Sequence, residues 1–165
     1  MAAAQKTDDA TKAAVAADDP DLARLAEASR IISSATKWSA ATGLIPVPVL
    51  DLVALAAVQA KMVTDISTIY GQSVSHEAVR GVISVLLGTL LPGTVARYAT
   101  VAIARGAPAV GLVVGIVSFG ALGAAATYAV GKVFVRHYER GGAFHNFDPK
   151  TVEADLKREF AAARA

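Results

Sequence analysis

Read as a string of apolar and polar positions, the chain falls into blocks of helical period separated by proline and glycine. From Asp19 onward Leu22, Leu25, Ala28, Ile32, Ala35 and Ser39 recur at steps of three and four, while Arg24, Glu27, Arg30 and Lys37 fall mostly elsewhere. That spacing predicts an amphipathic helix to about Thr42. Asp19 as cap, Pro20 at the first helical position and Asp21 in the first turn mark its start, and Gly43 its end. A second helix is predicted from about Pro48 to Tyr70, stopped by Gly71. A third is signalled by Ser73 or Ser75 as cap and Glu77 in the first turn, running from His76 to Leu91 until Pro92 and Gly93 break it. Thr94 then caps a short helix to Ala104. Asp148 and Pro149 repeat the cap-and-proline signal before a last helix with Val152, Leu156 and Phe160 along one stripe.

Between these lies the stretch that most constrains the rest: Gly106 to Gly131 carries no charged side chain. As a helix it would extend roughly 39 Å, against about 30 Å for a bilayer hydrocarbon core. Gly111, Gly115, Gly123, Thr127 and Gly131 fall on one four-residue register, interrupted by Phe119. Small residues at that spacing form a smooth ridge on which a second backbone packs closely, in lipid or in a tight interior. Each glycine weakens a helix in water by about 1 kcal/mol relative to alanine, so the ridge is expected to be covered: as a self-association or membrane face, or as the central helix of the protein's own core. Past Gly131, Lys132, Arg136, His137 and Arg140 dress an apolar helix end with cations, and Gly141 and Gly142 then break the helix. This suits a helix C-terminus or an anchor on acidic lipid headgroups, and Lys132, Arg136 and Arg140 are read as the membrane-surface cations. Arg97 opposes a span over 82–103, where it would cost about 2.5 to 3.5 kcal/mol.

Composition narrows the class. The chain is 54% hydrophobic with 6% aromatic residues and a mean hydropathy of +0.46, which favours smooth helices packed closely together. The net charge of +2 is small and scattered, excluding a nucleic-acid groove. There is no cysteine, hence no disulfide framework or thiolate metal site. Five aspartates between Asp8 and Asp21 occupy the place a secretory h-region would need. Residues 1–18 are Ala-rich and polar and read as a flexible tail; 19–140 as the helical domain; 141–165 as a linker carrying Phe144 and Phe147, followed by an amphipathic docking helix.

No catalytic constellation emerges. Asp51 lies in a first turn, where backbone N–H groups stabilise a carboxylate; Lys61 and Asp65 are one turn apart and pair at the surface. Asp51, Lys61 and Tyr70 scatter around one helix, against a shared pocket. His137, His145 and Asp148, with His76 distant, match no metal-ligand spacing. No enzyme activity, cofactor or metal is expected.

Several residues do form a recognisable series: Ile31, Ile32, Lys37, Trp38, Ser39 and Ala40; Gly43 through Asp51 with its Pro46 and Pro48 corner; Gln59, Lys61 and Met62; and Ile69, Tyr70 and Gly71. This series resembles the YcjF-like, GTPase-associated domain of unknown function, continuing more loosely through Leu91, Pro92 and Gly93 to about Arg140. The resemblance implies a bacterial helical domain, often membrane-associated and often fused to or encoded beside small GTPases. Since no G-x-x-x-x-G-K-[ST] loop occurs in this chain, a GTPase would be a separate partner.

The expected architecture is all-α: a compact bundle of five or six helices around a Gly/Ala-rich apolar helix or helical hairpin, the first two helices forming an antiparallel pair about the proline corner. The expected role is a non-catalytic, membrane-associated, self-associating module on the cytoplasmic side of a membrane. Its expected partners are a second copy, a separate GTPase and an acidic lipid surface. A soluble homo-oligomeric scaffold and a small pore or transport component are the alternatives.

Overall fold

Proline opens three helices of this protein, because its fixed φ suits a first turn and its missing N–H would have had no partner there. The computed structural model describes the backbone over 19–42, 48–104 and 108–164, and side chains over 19–41, 53–90 and 120–164. Among the described residues there are five α-helices and no strand: α1 (Pro20–Thr42), α2 (Pro48–Ile69), α3 (His76–Ala104), α4 (Pro108–Glu139) and α5 (Glu153–Ala162), with a short 3-10 turn over Phe144–Asn146. The tail expectation for 1–18, the 43–47 corner with Pro46, and the side chains of Pro48, Asp51, Arg97, Gly111 and Gly115 lie outside the described residues.

Local chemistry sets the helix ends. Asp19 Oδ1 accepts from the Asp21 N–H at 3.0 Å, capping α1. Ser75, rather than Ser73, caps α3 by accepting from the Ala78 N–H at 3.2 Å. Two helices end in Schellman turns. Gly71, with φ +70°, donates to Thr68 O while Gln72 N–H reaches Ser67 O; Gly141, with φ +78°, donates to Tyr138 O while Gly142 N–H reaches His137 O. A side chain strains a backbone at these angles, which explains glycine at both stops.

Two expected boundaries are corrected. The backbone of α3 is a single helix through Pro92 and Gly93. An internal proline removes one ladder hydrogen bond, at a cost of about 3 kcal/mol, and the helical turns on both sides carry α3 through. At the other end, Asp148 and Pro149 form a turn of their own, in which Asp148 Oδ1 accepts from the Lys150 N–H at 2.9 Å. Helix α5 therefore starts only at Glu153.

The first four helices alternate in direction. Arg24 and Tyr70 lie with Glu139 at one end, Ile32 and Met62 meet at Gly131 in the middle, and Ser39 and Leu55 flank Gly123 further along. Thus α1 runs antiparallel to α2 and α4, and α5 packs across α4 and α3. The core is built from Met62, Ile66, Ile83, Leu86, Phe134 and Leu156, all fully buried. Burying each contributes about 1.5–3 kcal/mol. Phe147 stacks on Phe134 with centroids 4.2 Å apart, so the connection after α4 belongs to the core.

All four long helices share the Tyr70 end, yet they differ in length. Helices α1 and α2 have 23 and 22 residues, while α3 and α4 have 29 and 32. At 1.5 Å per residue, α3 and α4 outreach their neighbours by about 10–15 Å at the opposite end. Among the described residues no helix is long and apolar enough to cross a membrane.

Candidate functional site

The Gly/Thr row of α4 is where the bundle closes. A Cβ at Gly131 would lie 2.6 Å from Ile32 Cγ1 and 3.2 Å from Met62 Sδ; one at Gly123 would lie 3.3 Å from Leu55 Cδ1 and 3.4 Å from Ser39 O. The smooth ridge therefore admits α1 and α2 of the same chain. Of the two readings of this row, a self-association or membrane face and the centre of the protein's own core, the second describes Gly123, Thr127 and Gly131: all three are buried in the interior, where α1 supplies the second backbone that the ridge fits.

Thr127 also centres a buried polar layer. Its Oγ1 shares a 2.7 Å hydrogen bond with Ser39 Oγ and accepts from Gln59 Nε2 at 3.1 Å. Gln59 Oε1 is buried without a hydrogen-bond partner among the described residues. Such a layer favours one register of the three helices, since sliding any of them would strand polar groups in an apolar interior. It also divides the molecule by charge. Between Ser39 and Gln59 the sequence holds one charged residue, Asp51, and between Gly81 and Thr127 only Arg97 and Arg105.

The opposite end is dense with ionic and aromatic contacts. Tyr70 donates to Glu139 Oε1, the Arg24 guanidinium lies 5.0 Å from the Tyr70 ring centroid and pairs with Asp21, and Ser67 Oγ and Tyr138 Oη share a 2.7 Å bond. Burial first, then the bond to Glu139 and its charge, push the Tyr70 phenol well above its ordinary value against the opposing pull of Arg24. Burial likewise raises Tyr138, with the Ser67 bond working the other way. Two phenols held neutral, Tyr70 on the Glu139 carboxylate and Tyr138 on the Ser67 hydroxyl, act as hydrogen-bonding struts. His137 is similarly structural: its Nε2 lies 3.0 Å from Ala143 O and from Asn146 Oδ1, tying down the turn. Among the described residues no group of three or more His, Asp or Glu side chains is placed to hold a metal ion.

The cations expected at a lipid surface are dispersed. Arg136 donates to Asp155 at 3.1 Å and to Glu159, a correction to its reading as a headgroup contact, because α5 brings two carboxylates onto it. The Glu159 bond outweighs desolvation and raises the Arg136 pKa, with Asp155 adding to the rise. Burial works to raise Asp155, but its bond to Arg136 and the Arg158 charge outweigh it and hold the acid below its ordinary value. Lys132 lies 6.0 Å from the Tyr128 ring centroid, and Arg140 is exposed. In α5, Leu156 and Phe160 are buried, and Val152 just ahead of it is half-buried, against the same core, so this helix docks on its own bundle.

The surface beside α1 and α2 is partly open. Beside the α1–α2 seam a groove of about 380 Å³ is walled by Ile31, Trp38, Val58 and Met62, with Lys61 and Asp65 at its edge. Trp38 is 67% exposed, a large apolar surface left in water by a helix whose other side is buried. Lys61 and Tyr70 do not converge: Lys61 pairs with Asp65 at 2.7 Å and Tyr70 with Glu139. The series that carries the family resemblance contains Lys37, Trp38, Lys61 and Met62, but nothing in it shows that Trp38, Lys61 and Met62 share a groove.

Comparison with known proteins bears on this arrangement. The chain is 32% identical over 138 residues, 84% of its length, to Magnetosome membrane protein 22 of Magnetospirillum gryphiswaldense, of which the alignment covers 71%. No solved structure matches it. A family model described as a domain of unknown function, DUF697, matches residues 8–164. That match runs from ahead of α1 through all five helices, and on it the chain belongs to the DUF697 family.

Proposed function

We propose that this protein is a non-catalytic, membrane-associated helical module, held on the cytoplasmic side of a membrane by the charge-poor end of its bundle. The observation that carries the reading is the sorting of charge along the bundle axis. Beyond the Ser39–Gln59–Thr127 layer the helices hold Asp51 and Arg97 as their charged residues, the sequence adds Arg105 between α3 and α4, and α3 and α4 extend about 10–15 Å past α1 and α2 there. An apolar end with so few charges is costly to keep in water and suited to lipid. The similarity to a protein named for the magnetosome membrane supports the same reading.

Magnitudes favour reversible attachment over permanent insertion. On the insertion scale the Leu, Ile, Val and Phe residues of 91–119 together return on the order of 5 kcal/mol, and Arg97 and Arg105 in the same stretch each cost up to about 2.5–3.5 kcal/mol near the bilayer centre. With those terms nearly cancelling, the balance falls to headgroup contacts, each worth about 1 kcal/mol per cation on an acidic surface. Self-association and a separate GTPase complete the proposal, the latter resting on the resemblance to YcjF-like domains and on the missing phosphate loop. Flotation of the purified chain with vesicles, followed by a carbonate wash, tests it. Flotation with acidic vesicles and release by carbonate is the expected result; a chain that stays at the bottom of the gradient with every lipid mixture would end the membrane reading.

A further inference from the structure

We infer that Trp38 is the interfacial anchor of this protein, an indole that settles at the headgroup level of an acidic bilayer and sets how deep the bundle enters. The inference rests on the membrane reading above and gives it a contact residue. Trp38 is the chain's sole tryptophan and 67% exposed. An aromatic ring with a polar N–H is at its best at the membrane–water boundary, where one part is apolar and the other wet.

Its place in the fold fits that boundary. Trp38 lies one turn before the end of α1 and one residue before Ser39 of the polar layer, where the charge-rich half of the molecule meets the charge-poor half. With the indole in the headgroups, the 6 Å or so left in α1 and the 10–15 Å overhang of α3 and α4 carry the bundle's end about one leaflet deep. Lys37, next to Trp38 and exposed, makes no ion pair among the described residues. Its neighbours Arg30 and Lys61 are matched by Glu27 and Asp65. An unmatched cation beside an exposed indole is complementary to a phosphate headgroup, and this selects an acidic lipid surface over a second copy of the chain as the occupant.

The single tryptophan makes the test direct. Tryptophan emission is followed while the full chain is titrated with phosphatidylcholine vesicles, with or without phosphatidylglycerol, and with lipids brominated near the glycerol or near the chain end. Flotation is measured on the same samples. The expected result is a blue shift on acidic vesicles, with stronger quenching by bromine near the glycerol. Trp38→Ala should weaken binding severalfold and Lys37→Ala about fivefold, the equivalent of 1 kcal/mol per cation, with the helical circular dichroism of both unchanged. A chain that floats while its emission and quenching stay as in buffer would overturn the anchor and leave the membrane reading standing. Equal binding to neutral vesicles, or a blue shift that appears without lipid as protein concentration rises, would likewise overturn it. Absence of flotation with any vesicle would remove both.

Discussion

Two glycines in similar helical settings should respond oppositely to the same substitution. Gly81→Ala places a Cβ where nothing lies within 4 Å, so removing the backbone freedom of glycine should stabilise the fold by about 0.5–1 kcal/mol. Gly131→Ala drives a methyl to 2.6 Å from Ile32 Cγ1, and overpacking of about 1–3 kcal/mol outweighs the helix gain. Urea unfolding of both variants reads the signs directly. Adding Ile32→Ala to Gly131→Ala should cost less than the sum of the two singles, since they share one space. A second residue-scale prediction concerns pH. Tyr70 and Tyr138 are raised above the value they have in the unfolded chain, so the folded state holds their protons more tightly. Their contribution is complete below about pH 10, the ordinary tyrosine value, and is lost as pH rises from there. Denaturation midpoints measured on either side of pH 10 should fall on the alkaline side, and Tyr70→Phe should flatten that fall; an unchanged slope would show that the Tyr70 phenol contributes nothing to it.

At the scale of the element, α5 is a strap whose hold has two parts. Leu156 is fully buried, and Leu156→Ala should cost about 2–5 kcal/mol. Arg136 bonds Asp155 and Glu159 across the seam with α4. Arg136→Ala removes both bonds while Asp155 keeps Arg158 at 2.7 Å, and at this partly exposed seam the loss should be about 1 kcal/mol or less. Hydrogen exchange should locate that loss in 153–162 while α1 and α2 keep their protection. Much at this scale was legible beforehand. Asp19 and Pro20, Ser75, Gly71 and Gly141 act through bonds to residues a few positions away, and such rules need no knowledge of the fold. The α1 stripe was legible over Ala28, Ile32, Ala35 and Ser39, which are buried, but not at Leu22, which is 46% exposed. Periodicity assigns a residue to a face and is silent on how far the partner helix extends over it. The same limit hid the place of Arg136, whose carboxylate partners stand 19 and 23 residues later.

Across the whole molecule, the sorting of charge predicts that surface changes act on attachment rather than on stability in the charge-poor half. Val53 is 62% exposed, and Val53→Glu should change unfolding free energy by less than about 0.5 kcal/mol while lowering recovery with acidic vesicles. A large loss of stability would mean that Val53 supports the fold. The sequence by itself determined the all-α class, the capped starts of α1 and α3, the two glycine stops after α2 and α4, and the need for the α4 ridge to be covered. These follow from local backbone chemistry and from an apolar stretch that water disfavours. Only the tertiary structure decided what covers the ridge, that Ser39, Gln59 and Thr127 meet in one layer, that Phe147 enters the core, and that Trp38 is left bare. Those outcomes depend on which helices approach and how closely. That is settled by shape at Gly123 and Gly131 and by residues as far as 88 positions apart, as with Ser39 and Thr127, a distance no local pattern reaches.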